Sequence, residues 1–471
     1  MGEEKGGIAT RTTLAITMKF FIRTFGCQMN QADSACLSGR LIEAGHQNTE
    51  DPEEAQVIIF NTCSVRQHAE ERLFQNLNAL RPLKKKRPEL IIGLIGCIPA
   101  LRRETLFRSF PHLNFLAGPE NLDTVPDLIS RSKNGAQIAV FDSKLPPHLT
   151  SPTRGKESCG VVSPARGEEG GVNVSAFLPI ITGCDNFCSY CVVPFTRGRE
   201  KSRPTGEILE EAERMVANGV KEIILLGQNV NSYQETANKN KGIGFPELLS
   251  RIAGLSGILR LGFMTSHPKD VSPNLFKVIA AHSNIYRHLH LPLQSGSDSI
   301  LKAMHRGYTA AHYRQRIKEV REIIPGLALT SDIIVGFPGE TEDDFKKTLS
   351  VIAETKFDDL FAFKYSDRPK TKAEELGGKI PEKTKEDRLA RLWKLQDGIS
   401  LKKNLETKGK TFEVLLLTES RKRPGFLLGK AENEKKILVP GNAKLVGSLI
   451  QVQVTSVDRR LLYGVALEQT A

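Results

Sequence analysis

A chain of 471 residues that is 39% hydrophobic and 25% charged has material for about three globular domains. Its net charge of +12, from 66 Lys and Arg against 54 Asp and Glu, makes an anionic partner a candidate, nucleic acid first. The longest apolar runs, such as VIIF and LIIGLIG, are strand-sized, which argues against a membrane-spanning helix.

The opening MGEEKGGIATRTTLAITMKFF lacks the architecture of a cleavable signal, and residues 1–17 read as a tail before the first strand at Met18. Eight cysteines in such a chain point to a reducing compartment, the cytoplasm, and to metal rather than disulfides. Residues 18–142 alternate strands with helices: MKFFIRTFGC, AQVIIFNTC and ELIIGLIGC are strands, each followed by a helical pattern. This predicts a doubly wound α/β domain. Each of these strands ends on a cysteine: Cys27, Cys63 and Cys97. The carboxyl ends of parallel strands are where such sheets bind ligands, so three thiols in corresponding positions read as a metal site. Cys36, on the following helix, reads as core filling.

Residues 143–175 turn sharply toward Pro, Gly and Ser and read as a linker, in which Cys159 has no partner at a telling spacing. From 176 to 402 the βα pattern returns. FLPIIT, KEIILLG, ILRLGFMTS, YRHLHLPLQ, LALTSDIIVGF and LFAFKYS predict six parallel strands of a partial (β/α)6 barrel. Beyond the charged helical stretch near EKTKEDRLARLWKLQ, residues 403–471 hold five short alternating segments, which suit a small OB-like β-barrel.

The stretch GCDNFCSYC, Gly183 to Cys191, sets Cys184, Cys188 and Cys191 at C-x-x-x-C-x-x-C spacing, and the next eighteen residues hold neither Cys nor His. Zinc completes a tetrahedron with a fourth ligand, which here would have to arrive from far along the chain. Iron–sulfur clusters also take thiolates, and three of them leave one iron open. A three-cysteine loop after the first strand of a partial barrel resembles the radical S-adenosylmethionine family, in which that cofactor takes the open position.

The resemblance runs from about Lys19 to Ala466. TFGCQMNQADS, NTCSVRQHAEERLF, GCDNFCSYCVVPFTRGREKSRP, LLGQNVNSY, TSHPKD, LPLQSGSDSILKAMHRGYT and DIIVGFPGETEDDF are similar to the methylthiotransferases, nearest to the MiaB type that acts on prenylated adenosine in tRNA. The resemblance implies two 4Fe-4S clusters, an auxiliary one on Cys27, Cys63 and Cys97 and a radical-generating one on Cys184, Cys188 and Cys191. It implies S-adenosyl-L-methionine as cofactor and a 5′-deoxyadenosyl radical that activates adenine C2 at tRNA position 37. It implies sulfur from the auxiliary cluster, and the radical has a physical reason: an unactivated aromatic C–H lies beyond side-chain acid–base chemistry, so the cofactor must supply it. It implies a C-terminal TRAM domain, a tRNA anticodon stem-loop as partner, an electron donor such as flavodoxin or ferredoxin, iron–sulfur assembly proteins, and no membrane.

Further positions follow from the same resemblance. Gly227 and Gln228, Gln294 and Ser295, and Asp332 and Gly336 lie at strand ends expected to face the cofactor. Arg197, Arg199 and Arg203 after the cysteine loop, with Arg421, Lys422 and Arg423 in RKRPG, are expected to meet nucleic acid. The chain departs from the family's usual residues at Pro99, at Lys370 where Gly is usual, and at Lys430 and Ala431. Competing readings are a methylthiotransferase for N6-threonylcarbamoyladenosine, one for a ribosomal-protein aspartate, and a non-catalytic zinc-dependent RNA-binding protein.

Overall fold

The structure, a computed structural model, describes residues 17–64, 67–141, 174–235 and 242–467. Residues 1–16, Cys159 and nearly all of the stretch read as a linker lie outside the described residues. The chain forms two compact units. Gly26–Ala32 and the residues that start at Cys63 group with the second unit, although the strands before them belong to the first.

The first unit is built on one parallel sheet of β1 (Lys19–Phe25), β2 (Gln47–Asn48), β3 (Val57–Thr62), β4 (Ile91–Gly96), β5 (Phe115–Ala117) and β6 (Ile138–Val140). Its order is β2-β1-β3-β4-β5-β6. Every residue of β3 and β4 is buried, as the apolar runs VIIF and IIGLIG require of central parallel strands covered on both faces. The chain steps outward from β1 to β2 and then returns past β1 to β3. The reversal makes a crevice beyond the carboxyl ends of β1 and β3. Pairing of Phe25 with Thr62 and of Thr62 with Gly96 levels the ends of β1, β3 and β4. The helix after β4, Cys97–Arg102, holds Pro99 in its first turn, where no N–H is needed. It stops at Arg103, whose φ of 49° breaks the run read as one helix, and Thr105–Ser109 follows as a separate turn.

In the second unit, β7 (Ser175–Pro179) opens a parallel series and the chain then turns. β8 (Ile181–Thr182) pairs antiparallel with β9 (Lys201–Ser202), so FLPIIT is split rather than one strand. The series continues with β10 (Glu222–Leu226), β11 (Arg260–Phe263), β12 (His288–His290), β13 (Ala328–Val335) and β14 (Asp359–Lys364). Two three-stranded parallel sheets, β11-β10-β7 and β12-β13-β14, are linked by a parallel bridge from Leu261 to Ile285, giving an arc of six strands. Alternation sorts the side chains. Ile223 and Leu225 enter the main core with helices Thr205–Ala217 and Phe245–Ala253, while Ile224, Leu226, Phe177 and Tyr286 cluster on the other face with Met29 and Ala32.

The helix Glu382–Leu405 leads into a closed barrel of β15 (Thr411–Glu419), β16 (Phe426–Ala431), β17 (Lys436–Pro440), β18 (Leu449–Val457) and β19 (Leu462–Ala466), in the order β15-β16-β17-β19-β18. The barrel sits on the amino-terminal edge of the arc. The first residues of three arc strands meet it as charged or hydrogen-bonded pairs: Glu222 with Lys430 at 2.9 Å, Arg260 with Glu413 at 2.6 Å, and His288 with Glu434 at 2.5 Å. Among the described residues, no helix is long and apolar enough to cross a membrane.

Candidate functional site

The cysteine loop leaves the carboxyl edge of the arc after β8. Gly183 takes φ of +73°, and a Cβ there would lie 2.1 Å from the Arg199 carbonyl oxygen, so only glycine fits. The Cys184 N–H donates to the Gly198 carbonyl at 3.3 Å, and the Cys191 N–H closes a turn on the Cys188 carbonyl at 3.0 Å. Ser189 anchors the loop: its N–H donates to the Met304 carbonyl and its hydroxyl to the Ala303 carbonyl, while its own carbonyl accepts from the Ala373 N–H. Phe187, at φ of 45°, turns its ring outward beneath the Arg199 guanidinium.

Burial pushes the Cys191 thiol up to about 12, and the neighbouring Cys188 and Cys184 add to the shift. Burial also raises Cys184, with Cys188 again among the causes. Three neighbouring thiols, two of them held protonated by burial, form a donor set that a cationic centre would complete. Among the described residues, no three His, Cys, Asp or Glu side chains are arranged to hold a single metal ion. Tetrahedral zinc needs its ligands within about 2.3 Å of one point, whereas a cluster of several irons takes one thiolate per iron and spaces them further apart. The all-thiol donor set fits a cluster, with one iron left for another ligand.

The rim beside the loop carries polar atoms without partners among the described residues: Gln228 Oε1 and both amide atoms of Asn231 after β10, and Ser266 Oγ and His267 Nε2 after β11. Ser266 and His267 are themselves buried. Burial, then Arg306 and Lys269, pull His267 down to about 2, so its imidazole is neutral. Buried polar atoms are nearly always satisfied in folded proteins, so this group marks where a polar ligand would dock.

Of the residues expected at the cofactor, Gly227 follows β10, where a Cβ would clash with Ile181 at 2.3 Å, and Gln228 stands among the orphaned atoms. Gln294 adopts φ of +67° and exchanges backbone hydrogen bonds with Asp332 and Ile334, joining the ends of β12 and β13. Asp332 is half-buried, with a carboxylate oxygen 3.5 Å from His290. Gly336 has φ of +71° and donates its N–H to Glu340, which is paired with the buried Arg388. Ser295 is committed elsewhere: its hydroxyl meets Thr348 at 3.3 Å and accepts from the Ser297 N–H. Arg306, His267 and Ser266 lie in HRGYT and TSHPKD, stretches that carry the family resemblance without singling out a role for any one residue.

The three arginines after the loop part company. Arg199 is exposed and paired with Asp185 at 2.7 Å; Arg203 pairs with Glu211 at 2.6 Å and the Pro179 carbonyl at 2.7 Å; Arg197 is buried. Burial leaves Arg197 no surface to offer a phosphate. Arg421, Lys422 and Arg423 are exposed in the turn between β15 and β16, with Arg423 stacked 4.9 Å over the Tyr463 ring.

Cys27, Cys63 and Cys97 follow the levelled ends of β1, β3 and β4, which are neighbours in the sheet. A Cβ on Gly26 would lie 2.9 Å from the Cys63 Cβ, a close approach at the switch-point crevice. The Cys27 thiol meets Asn30 Oδ1 at 3.2 Å, and Ser64 Oγ, beside Cys63, is buried with no partner among the described residues. Cys36 is buried in its helix but is disulfide-bonded, so it is more than the core filling expected of it.

Three sequence-family profiles match the chain: Radical SAM superfamily over residues 178–352, Uncharacterized protein family UPF0004 over 19–118, and TRAM domain over 405–467. Proteins called tRNA-2-methylthio-N(6)-dimethylallyladenosine synthase are similar over nearly their full length. The one from Caldicellulosiruptor saccharolyticus is 42% identical over 94% of this chain and 92% of its own, and that from Thermodesulfovibrio yellowstonii is 40% identical over 94% and 97%. Among solved structures, the radical S-adenosylmethionine methyltransferase TsrM from Kitasatospora setae, with cobalamin and a [4Fe-4S] cluster bound, shares the fold. Its TM-score is 0.53 at 13% identity, over 76% of this chain and 77% of that one. With identities of this size across nearly whole chains, the protein belongs to the tRNA-2-methylthio-N(6)-dimethylallyladenosine synthase family within the radical SAM superfamily.

Proposed function

We propose that this protein is a tRNA methylthiotransferase that adds a methylthio group to C2 of N6-prenylated adenosine at position 37, beside the anticodon. The observation that carries the reading is the pairing of two three-cysteine sets, one beyond the carboxyl ends of parallel strands and one in the loop after β8, with a C-terminal OB-like barrel in one chain. The cofactors, two 4Fe-4S clusters and S-adenosyl-L-methionine, would relay an external donor's electron and supply the radical, the methyl group and the sulfur that side chains cannot.

The chain's own residues bind and orient. Cys184, Cys188 and Cys191 hold one cluster; Cys27, Cys63 and Cys97 hold the other. Gln228, Asn231, Ser266 and neutral His267 offer unpaired donors and acceptors to the cofactor and the base, with Gly227, Gln294, Asp332 and Gly336 shaping the same rim. Ser295, turned to Thr348, supports the Gln294 turn from behind. A buried rim fixes the reacting groups and excludes water from them. Arg199, Arg421, Lys422 and Arg423 meet tRNA phosphates.

The reading divides the chain into an α/β domain at 18–142, a linker at 143–175, a radical SAM core at 176–402 and a TRAM domain at 403–471, with residues 1–17 as a tail. Its setting is the cytoplasm, with a flavodoxin- or ferredoxin-type donor and iron–sulfur assembly proteins as partners. The relatives' names favour prenylated adenosine over the threonylcarbamoyl nucleoside or a ribosomal-protein aspartate, and the radical SAM match disfavours a zinc-only protein. Nucleoside mass spectrometry of tRNA from cells with and without the gene tests the reading. Loss of the 2-methylthio derivative of prenylated adenosine is expected, and loss of the threonylcarbamoyl derivative instead would overturn it.

A further inference from the structure

Arg306 is a buried cation with no carboxylate beside it among the described residues. It is 5% exposed, and each nitrogen is aimed: Nε donates to Tyr308 Oη at 3.1 Å, Nη2 to the Pro292 carbonyl at 3.1 Å, and Nη1 to Cys188 Sγ at 3.3 Å. Tyr308, whose ring lies 5.3 Å from the guanidinium, is itself held by the Pro292 and Leu293 carbonyls, so the fork is fixed on both sides. Among the described residues no Asp or Glu pairs with it. Two other buried arginines do have such partners: Arg388 has Glu340 at 2.7 Å and Arg260 has Glu413 at 2.6 Å.

A guanidinium taken out of water is stable only against a compensating anion. Around Arg306 the structure offers neutral carbonyls, a phenol and a cysteine sulfur. The missing anion would be supplied when Cys188 is a thiolate ligand and the site carries the negative charge of an iron–sulfur cluster.

We propose that Arg306 is the resident counter-cation of the radical-generating cluster, held against Cys188 so that the cluster is easier to reduce. The proposal rests on the reading that Cys184, Cys188 and Cys191 hold that cluster. Reduction adds one electron, delivered by an external donor, and so one negative charge. A fixed positive charge and an N–H directed at a ligand sulfur stabilise the reduced form more than the oxidised one. Lysine would keep the charge but lose the planar fork that reaches Tyr308, Pro292 and Cys188 together.

The test is an anaerobic potentiometric titration of the reconstituted full-length protein, following the reduced-cluster EPR signal that changes when S-adenosylmethionine is added. At the wild-type midpoint, Arg306→Gln is expected to lower the reduced-to-oxidised ratio tenfold or more, which for one electron is about 59 mV. Arg306→Lys should lower it only about two- to fivefold. An unchanged ratio in Arg306→Gln, or a fall in Arg306→Lys as large as in Arg306→Gln, would overturn the counter-cation role. Should Arg306→Gln fail to retain the cluster, Arg306→Lys decides alone: a fall of no more than about fivefold supports the proposal, and a fall of about tenfold or more overturns it. Absence of any cofactor-sensitive signal in the wild type would instead sink the reading of the cysteine loop.

Discussion

Lys430, on strand β16 of the C-terminal barrel, places its ammonium 2.9 Å from the carboxylate of Glu222, which begins arc strand β10 and has no solvent exposure. Glu222 also accepts from the Tyr286 hydroxyl at 2.5 Å and from Ser175, and Lys430 reaches Glu434 at 3.4 Å.

Removing that ammonium strands a buried carboxylate. Lys430→Met is expected to destabilise the protein by about 3–5 kcal/mol, and adding Glu222→Gln should recover part of the loss. Urea unfolding of the two variants and the wild type measures both. Additive losses in the double variant would mean that the two side chains do not interact.

Lys370 has φ of +70°, in the left-handed region that favours glycine. The backbone there carries a lysine in a conformation that suits glycine. Lys370→Gly is therefore expected to change stability by only about 0–1 kcal/mol, in the stabilising direction, because relief of strain offsets glycine's entropy. Lys370→Val should destabilise by more than about 1 kcal/mol. Melting temperatures of both variants decide it; a more stable valine variant would contradict the strain.

His267 predicts a pH response. Burial, with Arg306 and Lys269 nearby, holds its folded value near 2, below the ordinary value of about 6.5. Below pH 6.5 the unfolded chain takes up a proton that the folded chain refuses, so this contribution to stability falls as pH drops toward 2. Between pH 7.5 and 5.5, wild type should lose about 1 kcal/mol more than His267→Gln, as read by denaturant unfolding under nitrogen. Equal losses would show that the imidazole protonates in place.

The two cysteine sets should separate by readout. Replacing Cys184, Cys188 and Cys191 by alanine should abolish 5′-deoxyadenosine formation and remove about half of the reconstituted iron. Replacing Cys27, Cys63 and Cys97 should remove a similar share of iron and leave 5′-deoxyadenosine formation in place, while ending methylthio transfer. Methylthiolated tRNA from the second variant would mean that the sulfur has another source.

For RNA, each phosphate that Arg421, Lys422 or Arg423 no longer neutralises should lower the slope of log affinity against log salt by roughly 0.7–0.9. Filter binding of tRNA at several salt concentrations reads it. A triple glutamine variant with wild-type slope would free that turn from any role in RNA binding.

Much of the fold was legible because apolar periodicity is strong where strands are long. Six arc strands and five barrel strands stand in the regions where alternation or apolar runs put them. β2, β5 and β6 were not, since two or three residues carry no period and their existence depends on neighbours in the sheet. The break at Arg103 and the split after Pro179 are set by local dihedrals and by pairing with β9, which sequence patterns do not encode. At the candidate site, cysteine spacing announced its chemistry. Arg306 did not, because an arginine's burial and its reach to a sulfur 118 positions earlier are tertiary facts.

The barrel grips the starting residues of β10, β11 and β12, while the cysteine loop and the orphaned polar atoms occupy the opposite ends of the arc strands. A strand of five residues rises about 17 Å, so the arc acts as a calliper whose jaws cannot slide. Under the proposed function, a bare prenylated nucleoside would touch one jaw alone. A folded stem-loop is long enough to reach both, so substrate length would be gauged by the height of a β-strand.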